Sequence, residues 1–368
     1  MIYFILLFIV VFSYYLKNIY SFRRGVKSDY DNLNEEKPQV SVVIAARNEE
    51  KTLPDLLNVL TNQTYSCDRY EVIIANDRSE DRTREVVQNY ASKYNYVKLV
   101  NVEIPEQGVT SRKKNALDQG IEQSQGEIIL STDADCMVKT TWIEGMVSYF
   151  TQGVGLVAGL SLPEYNNSRS FIEQYDFFDM LAMFTAAAGA IGAARPFSCS
   201  GQNIAFTKQA FDEVDGYDSI KEYESGDDVL LMQLINNAEY EIRFAFHQKT
   251  FNSTEPQDTF LDFINQRIRW ATNEKPQSFL NKDFYLFLIN ALLLNLIVVI
   301  SLIFEPFLFV MFFLLKSISE YWLINKGRQI FNVAQKKMRF FPIWEVTYPI
   351  YAIVIAIGEK LELFEWKT

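Results

Sequence analysis

At 368 residues, 49% of them hydrophobic and 22% charged, the chain exceeds the usual size of one compact domain and is expected to hold a catalytic domain plus something else. A net charge of −11 argues against a nucleic-acid groove, which needs a clustered basic face. The single histidine, His247, rules out serine-type triads and multi-histidine metal sites and is expected to be structural, while Cys67, Cys136 and Cys199 show neither ligand spacing nor a CxxC pair and read as free thiols.

Met1 to Leu16 is apolar and uncharged, and the first charge is Lys17. A bilayer-spanning helix needs about 20 such residues. No small-residue cleavage site follows, so residues 1–22 read as a retained anchor rather than a signal peptide. Arg23, Arg24 and Lys27 come next, and positive flanks stay on the cytoplasmic side, which places the bulk of the chain there.

Strands and helices then alternate. Val40 to Ala46 is a β-branched apolar run ended by Arg47-Asn48-Glu49-Glu50, and Leu53, Leu56, Leu57 and Leu60 follow at helical spacing. Glu71 to Ala75 is a second strand running into Asn76-Asp77-Arg78-Ser79, with a helix carrying Val86 and Val87 behind it. Val97 to Val102 and Glu127 to Leu130 read as the third and fourth strands. The alternation predicts an α/β fold with a mainly parallel sheet and right-handed crossovers. Ligands of such sheets gather beyond the carboxyl ends of the strands, where Arg47, Asp77 and Asp133 all fall.

The fourth strand ends in Ser131-Thr132-Asp133-Ala134-Asp135. Two carboxylates at i and i+2 suit a divalent metal held by few protein oxygens, the rest of its shell being phosphate and water. The plainer alternative is a strand-terminating turn, where Asp is common. Gly153-Val154-Gly155-Leu156-Val157-Ala158-Gly159 imitates a dinucleotide fingerprint but has no helix behind it to present amides to a pyrophosphate. Asn166-Asn167-Ser168 matches a glycosylation sequon that a cytoplasmic domain would never have modified. Residues 181–194 are short and rich in small side chains, with Glu173, Asp176 and Asp179 before them on one helical face. They are expected as a helix on the membrane-proximal side of the catalytic domain rather than a span.

Asp227-Asp228 follows Gly226 and precedes Val229-Leu230-Leu231-Met232, which opens a helix. One carboxylate of the pair can cap that helix while the other faces a cleft and serves as general base for an incoming hydroxyl. In Phe260 to Trp270 the apolar residues Phe260, Leu261, Ile264 and Ile268 recur at helical spacing. Gln266 and Arg269 are neighbours on that helix, and Trp270 offers a flat face to sugar rings or to interfacial lipid. Phe284 to Phe304 and Pro306 to Ile324 form a membrane hairpin (284–324) around the Glu305-Pro306 turn. Lys326, Arg328, Lys336, Lys337 and Arg339 make residues 325–340 a basic cytoplasmic loop, and 341–358, carrying Glu345 and Pro349, is a fourth span or an interfacial helix.

The ordered set of Asp77, Asp133, Asp135, Asp227-Asp228 and Gln266-Arg267-Ile268-Arg269-Trp270 resembles the membrane-bound, inverting family 2 glycosyltransferases, relatives of cellulose, hyaluronan and glycolipid synthases. The likeness covers about residues 38–275 and then the hairpin. Val43-Ile44-Ala45-Ala46-Arg47-Asn48-Glu49 is similar to the family's opening strand, Asn76 to Thr83 to its acidic nucleotide motif, and Lys113-Lys114-Asn115-Ala116-Leu117-Asp118 to its Lys-x-x-Ala-Leu-Asn segment. The resemblance implies a GT-A nucleotide-diphospho-sugar transferase domain plus transmembrane helices. It implies that Ala45, Arg47, Glu49, Asp77, Lys113 and Asp133 hold the donor nucleotide, that Asp135 with Asp133 holds Mg or Mn, and that Asp228 is the base. Gln266, Arg269 and Trp270 would serve the diphosphate and acceptor, and Ser200, Gly201, Gln202 and Asn203 an acceptor loop. Three positions depart from the pattern: Arg78 stands where many members have a turn glycine, Asp227 where Glu is usual, and Ala271-Thr272-Asn273 lacks the glycine often found there.

The implied activity is metal-dependent transfer of one sugar, with inversion, from a nucleotide-diphospho-sugar to a lipid, lipid-linked or polysaccharide acceptor at the cytoplasmic membrane face. Few spans leave little material for a polymer channel, which favours a lipid acceptor over a processive polysaccharide synthase. A catalytically silent scaffold or nucleotide sensor of the same fold is the rival, and the intact carboxylate set argues against it.

Overall fold

The computed structural model describes the chain except residues 28, 29, 31, 105–110, 165–169, 273, 362 and 364–368. The sequon Asn166-Asn167-Ser168 and Asn273 therefore lie outside the described residues. In chain order the first half holds α1 (Ile2–Gly25), β1 (Val40–Ala46), α2 (Leu53–Leu60), β2 (Tyr70–Asn76), α3 (Thr83–Lys93), β3 (Val97–Asn101), α4 (Arg112–Glu122), β4 (Ile128–Ser131), α5 (Trp142–Val147), β5 (Val154–Gly159), β6 (Ser161–Pro163) and α6 (Phe171–Gly192). There follow β7 (Ile204–Thr207), α7 (Lys208–Glu213), α8 (Val229–Asn237), β8 (Glu241–Ala245), β9 (Asn252–Thr254), α9 (Phe260–Ala271), α10 (Glu274–Leu280), α11 (Lys282–Phe304), α12 (Pro306–Ile330) and α13 (Phe341–Lys360). They form two compact units, one of residues 28–164 and 198–255, the other of 1–27, 165–197 and 256–368. The continuous domain expected over 38–275 is thus divided differently, because residues 165–197 and 256–275 group with the apolar helices.

The first unit is built on a seven-stranded sheet in the order β3-β2-β1-β4-β7-β5-β8. β1 pairs in parallel with β2 and β4, and β2 with β3, so the four strands expected from apolar runs form a parallel half. Every residue of β2 and all but one of β1 are buried, as expected for strands covered on both faces. Leu53, Leu56, Leu57 and Leu60 of α2 are fully buried in the core that also holds Val42, Ile44, Val72 and Ile74. Each such side chain contributes about 1.5–3 kcal/mol. α4 lies on β1 and β2, and Gly120 lets it come close: a Cβ there would stand 2.6 Å from Val43 Cγ1. β7 is antiparallel to both β4 and β5. Ile204-Ala205-Phe206, which directly follows the residues expected as an acceptor loop, is therefore a strand in the middle of the sheet. The glycine-rich decoy is β5, a buried strand, and a small parallel pair, β6 with β9, stands beside the main sheet.

The second unit consists of helices. Among the described residues, four segments are long and apolar enough to cross a membrane: α1, α11, α12 and Gln335–Lys360, which contains α13. α12 continues to Ile330 and Gln335–Phe340 is a 3-10 turn, so most of the expected basic loop is helical. α6 spans Phe171–Gly192 and packs on α1 and α12. The helix expected on the catalytic domain thus belongs with the apolar helices, and small residues are the reason. A Cβ on Gly25 of α1 would lie 1.9 Å from the Gly189 carbonyl oxygen, so only glycines let the two backbones touch. Lys316 of α12 is buried between Glu320 and Glu345, 2.9 Å from each, and the Tyr15 hydroxyl donates to Glu320 at 2.6 Å. Charges inside apolar helices persist when they are paired in this way.

Candidate active site

The loops after β1, β2 and β4 bring the acidic motifs to the carboxyl end of the parallel half-sheet. After β2, Asp77 is buried and receives Arg78 Nη2 at 2.6 Å and Arg47 Nη1 at 3.8 Å. Arg78 has φ 54°, the left-handed conformation a glycine would take with less strain. The residue that breaks the family pattern therefore keeps the turn and adds an ion pair to the acid before it. Asn48, also left-handed at φ 58°, accepts the Glu80 amide at 2.9 Å, and the Glu49 amide donates to Thr83 Oγ1 at 2.7 Å, which ties the first two loops together. The Arg47 Nε is buried without a partner among the described residues. Ala45 is half-buried in β1 and packs with Ala75, Val102 and Ala116.

After β4, Thr132 donates to the Gln202 carbonyl at 2.7 Å, and Asp133 turns toward α4. Lys113 Nζ lies 2.7 Å from Asp133 and 2.9 Å from Asp227 and so bridges two distant motifs. The two carboxylates outweigh desolvation and hold its ammonium well above the usual lysine range. Burial pushes Asp227 up, but the Lys113 charge and hydrogen bond more than offset this and leave it below the usual carboxylate range. Asp228 is the cap of α8: one oxygen accepts the Val229 amide and the other accepts the Gly201 amide at 2.8 Å. Burial, and then the neighbouring Asp227, push Asp228 up to about 6. Asp135 is likewise pushed up to about 6, by desolvation first and then by Asp133 and Glu49. Glu49 is raised by burial and by the surrounding acids, although Thr52 donates to it at 2.6 Å.

One ligand atom each from Asp133, Asp135 and Cys136 lies within 4.8 Å of the others. Two neighbouring carboxylates, one of them raised first by desolvation and further by the charge of the other, form a donor set whose repulsion a divalent cation relieves, and hard oxygen donors suit Mg or Mn. The donor set therefore fits the metal that the motif implies. Sequence spacing gave Cys136 no such place. Its thiol is buried, and it is held well above the usual range by burial and by the two acids.

The other expected residues divide. Gly201 is packed so tightly that a Cβ would come 3.1 Å from Asp227 Oδ2 and 3.2 Å from Lys113 Nζ. Ser200 accepts the Gln202 amide at 3.3 Å. Asn203 is 0% exposed, with Oδ1 accepting Trp142 Nε1 at 2.9 Å and Nδ2 donating to Leu160 and Thr250, so its side chain braces the sheet. Gln266, Arg269 and Trp270 lie on α9 in the helical unit. There the residue between them, Arg267, is the buried one. Its Nη2 meets Asp176 at 2.6 Å, its Nε meets Asp179 at 2.8 Å, it donates to Gln266 Oε1, and Trp270 covers it at 4.4 Å. Asp179 also accepts Trp344 Nε1 of α13 at 2.9 Å. Nothing in the motif's spacing marked Arg267. The signal available was the pair Asp176 and Asp179, one turn apart on a largely apolar helix.

A sequence profile described as Glycosyl transferase family 2 matches residues 41–215. The chain carries a glycosyl transferase family 2 domain. A probable glycosyltransferase of Bacillus subtilis, YdaM, is 29% identical over 260 residues, covering 68% of this chain and 58% of its own. A β-monoglucosyldiacylglycerol synthase of Synechocystis is 27% identical over 236 residues, covering 64% and 47%. The chain thus spans about half of these relatives, and a polysaccharide synthase is also among the glycosyltransferases it matches. A mannosyltransferase of Pyrobaculum calidifontis, solved with GDP-Man and Mn2+, has TM-score 0.57 at 17% identity and covers 98% of both chains. Its likeness shows the fold: a mainly parallel α/β domain of GT-A type together with helices able to span a membrane.

Proposed function

We propose that this glycosyltransferase moves a hexose, with inversion, from a nucleotide-diphospho-sugar to a lipid or lipid-linked acceptor at the cytoplasmic face of a membrane. The observation that carries the reading is the join of three motifs in one cluster, with Lys113 between Asp133 and Asp227 and with Asp228 beside them raised to about 6. A carboxylate of that pKa is ionised near neutrality yet basic enough to take a proton from a hydroxyl. Direct attack of that hydroxyl on the sugar carbon gives one inversion. The Gly201 and Val229 amides fix the orientation of the base.

Asp133 and Asp135 would hold the cation, with the Cys136 sulfur beside them. A bound divalent cation supplies charge neutralisation for the departing diphosphate. Lys113 adds a positive charge at the same place, and Arg47 with Asp77 is assigned to the nucleotide. Gln266, Arg269 and Trp270 are assigned to the diphosphate and acceptor on their motif alone. The glycolipid synthase among the relatives supports the lipid acceptor.

The test is transfer by the full chain in lipid nanodiscs, using a panel of nucleotide-sugars with Mg or Mn and diacylglycerol or polyprenyl-phosphate acceptors. Asp228→Asn is expected to lose about 10²–10⁴-fold in turnover. Equal rates for wild type and variant on every pair would end the assignment. Long polysaccharide as the only product would move the acceptor to the processive class.

A further inference from the structure

Next to Lys113 on α4 stands a second lysine that the motif does not use. Lys114 is 2% exposed, and its ammonium donates to three backbone carbonyls: Ile220 at 3.0 Å, Tyr223 at 2.6 Å and Ser225 at 2.8 Å. An ammonium has three N–H donors, and all are engaged. Apart from a 3-10 turn at Asp218–Ile220, the gripped stretch has no regular structure, and it leads directly into Gly226-Asp227-Asp228. Backbone carbonyls turned inward without a partner are costly, so this lysine supplies the pairing that helix or sheet supplies elsewhere.

A buried lysine is itself expensive. Burial, only partly countered by Asp227 and Asp228, lowers Lys114 to about 8. An apolar side chain would fill the same space without that cost, so the charge is explained by the carbonyls and not by packing. The foundation is firm: α4 rests on β1 and β2, and Ser111 caps its first turn by accepting the Lys114 amide at 3.3 Å. Consecutive residues of one helix therefore do different jobs. Lys113 reaches the acid side chains, and Lys114 holds the backbone from which two of them hang.

We propose that Lys114 is a positioning residue, gripping the 220–225 backbone so that Asp227 and Asp228 are held in register with Lys113 and the Asp133-Asp135 end of β4. The inference rests on the assignment of Asp228 as base, and its test separates the two. In full-chain nanodiscs, Lys114→Met is expected to lower kcat by about 100-fold, the cost of a small misplacement of a reacting group, with donor KM within about threefold. Lys114→Arg, which keeps charge and donors, is expected to recover at least about a tenth of wild-type kcat. Independently of activity, hydrogen exchange in Lys114→Met should quicken at residues 219–229 and stay unchanged across β1, β2 and β4. Wild-type kcat in Lys114→Met, or exchange that quickens equally throughout the sheet, would overturn the proposal. If Asp228→Asn retains full transfer, the base assignment falls, and the exchange data still decide whether Lys114 holds the loop.

Discussion

The two units handle charge in opposite ways. In the helical unit, Arg267 sits between Asp176 and Asp179, and Lys316 between Glu320 and Glu345, each cation within 2.9 Å of its acids and each cluster nearly removed from solvent. In the sheet unit, Lys113 bridges Asp133 and Asp227, and two further acids nearby, Asp135 and Asp228, are pushed up to about 6 by desolvation and then by their acidic neighbours. A buried, ion-paired cluster holds helices together. A cluster with surplus acid is in shape to receive a positive ion and a proton.

The contrast breaks most sharply at Arg267. Arg267→Met leaves Asp176 and Asp179 buried without their cation, and an expected loss of about 3–5 kcal/mol should appear as a large drop in the unfolding midpoint of the chain in detergent. An unchanged midpoint would mean that the helical cluster is not structural. Asp135→Asn should act in the reverse sense. It removes surplus charge, so the midpoint without metal should hold or rise, while the stabilisation by Mn2+, about 2.7 kcal/mol at a hundred times the dissociation constant, should vanish. Should the variant keep that stabilisation, the metal lies elsewhere.

The pH profile gives a smaller effect. Asp228, the base under the proposed function and pushed up to about 6, must be ionised to act, so kcat/KM should fall about tenfold per unit below that pH and level off above it. Because Asp227 is one cause of the raised value, Asp227→Asn should move this limb to lower pH, and a limb that stays in place would detach it from Asp228. The smallest effect is expected at Arg78. Glycine there relieves left-handed strain of about 1–2 kcal/mol but gives up the contact with Asp77, so the midpoint should change by less than about 1 kcal/mol while donor KM rises.

The parallel half of the sheet was legible because buried strands β1, β2 and β4 are short apolar stretches rich in β-branched residues that end in polar loops. The acid motifs were legible for the same reason, since strand ends mark the ligand side. β7 was not, because its four residues follow a polar loop and gain their place only from β4 and β5 on either side. Asn203 reads as a polar loop residue until Trp142, Leu160 and Thr250 surround it. The grip of Lys114 spans more than a hundred residues of sequence and acts on carbonyls, which no side-chain pattern records. The helices were found by hydropathy, yet the membership of α6 depended on glycines meeting across a helix pair, which hydropathy does not measure.

That glycine contact also bears on how the protein can be handled. With the Gly25 backbone pressed against Gly189, and the Phe22 ring edge-on to Phe197 and Phe287, α1 lends one face to the packing of its unit. Cutting away the first 25 residues to obtain a water-soluble protein would strip one side from α6 and α11, leaving greasy faces that drive precipitation. Purification should therefore start from the intact N-terminus, with detergent or nanodisc chosen to wrap the helices as a set.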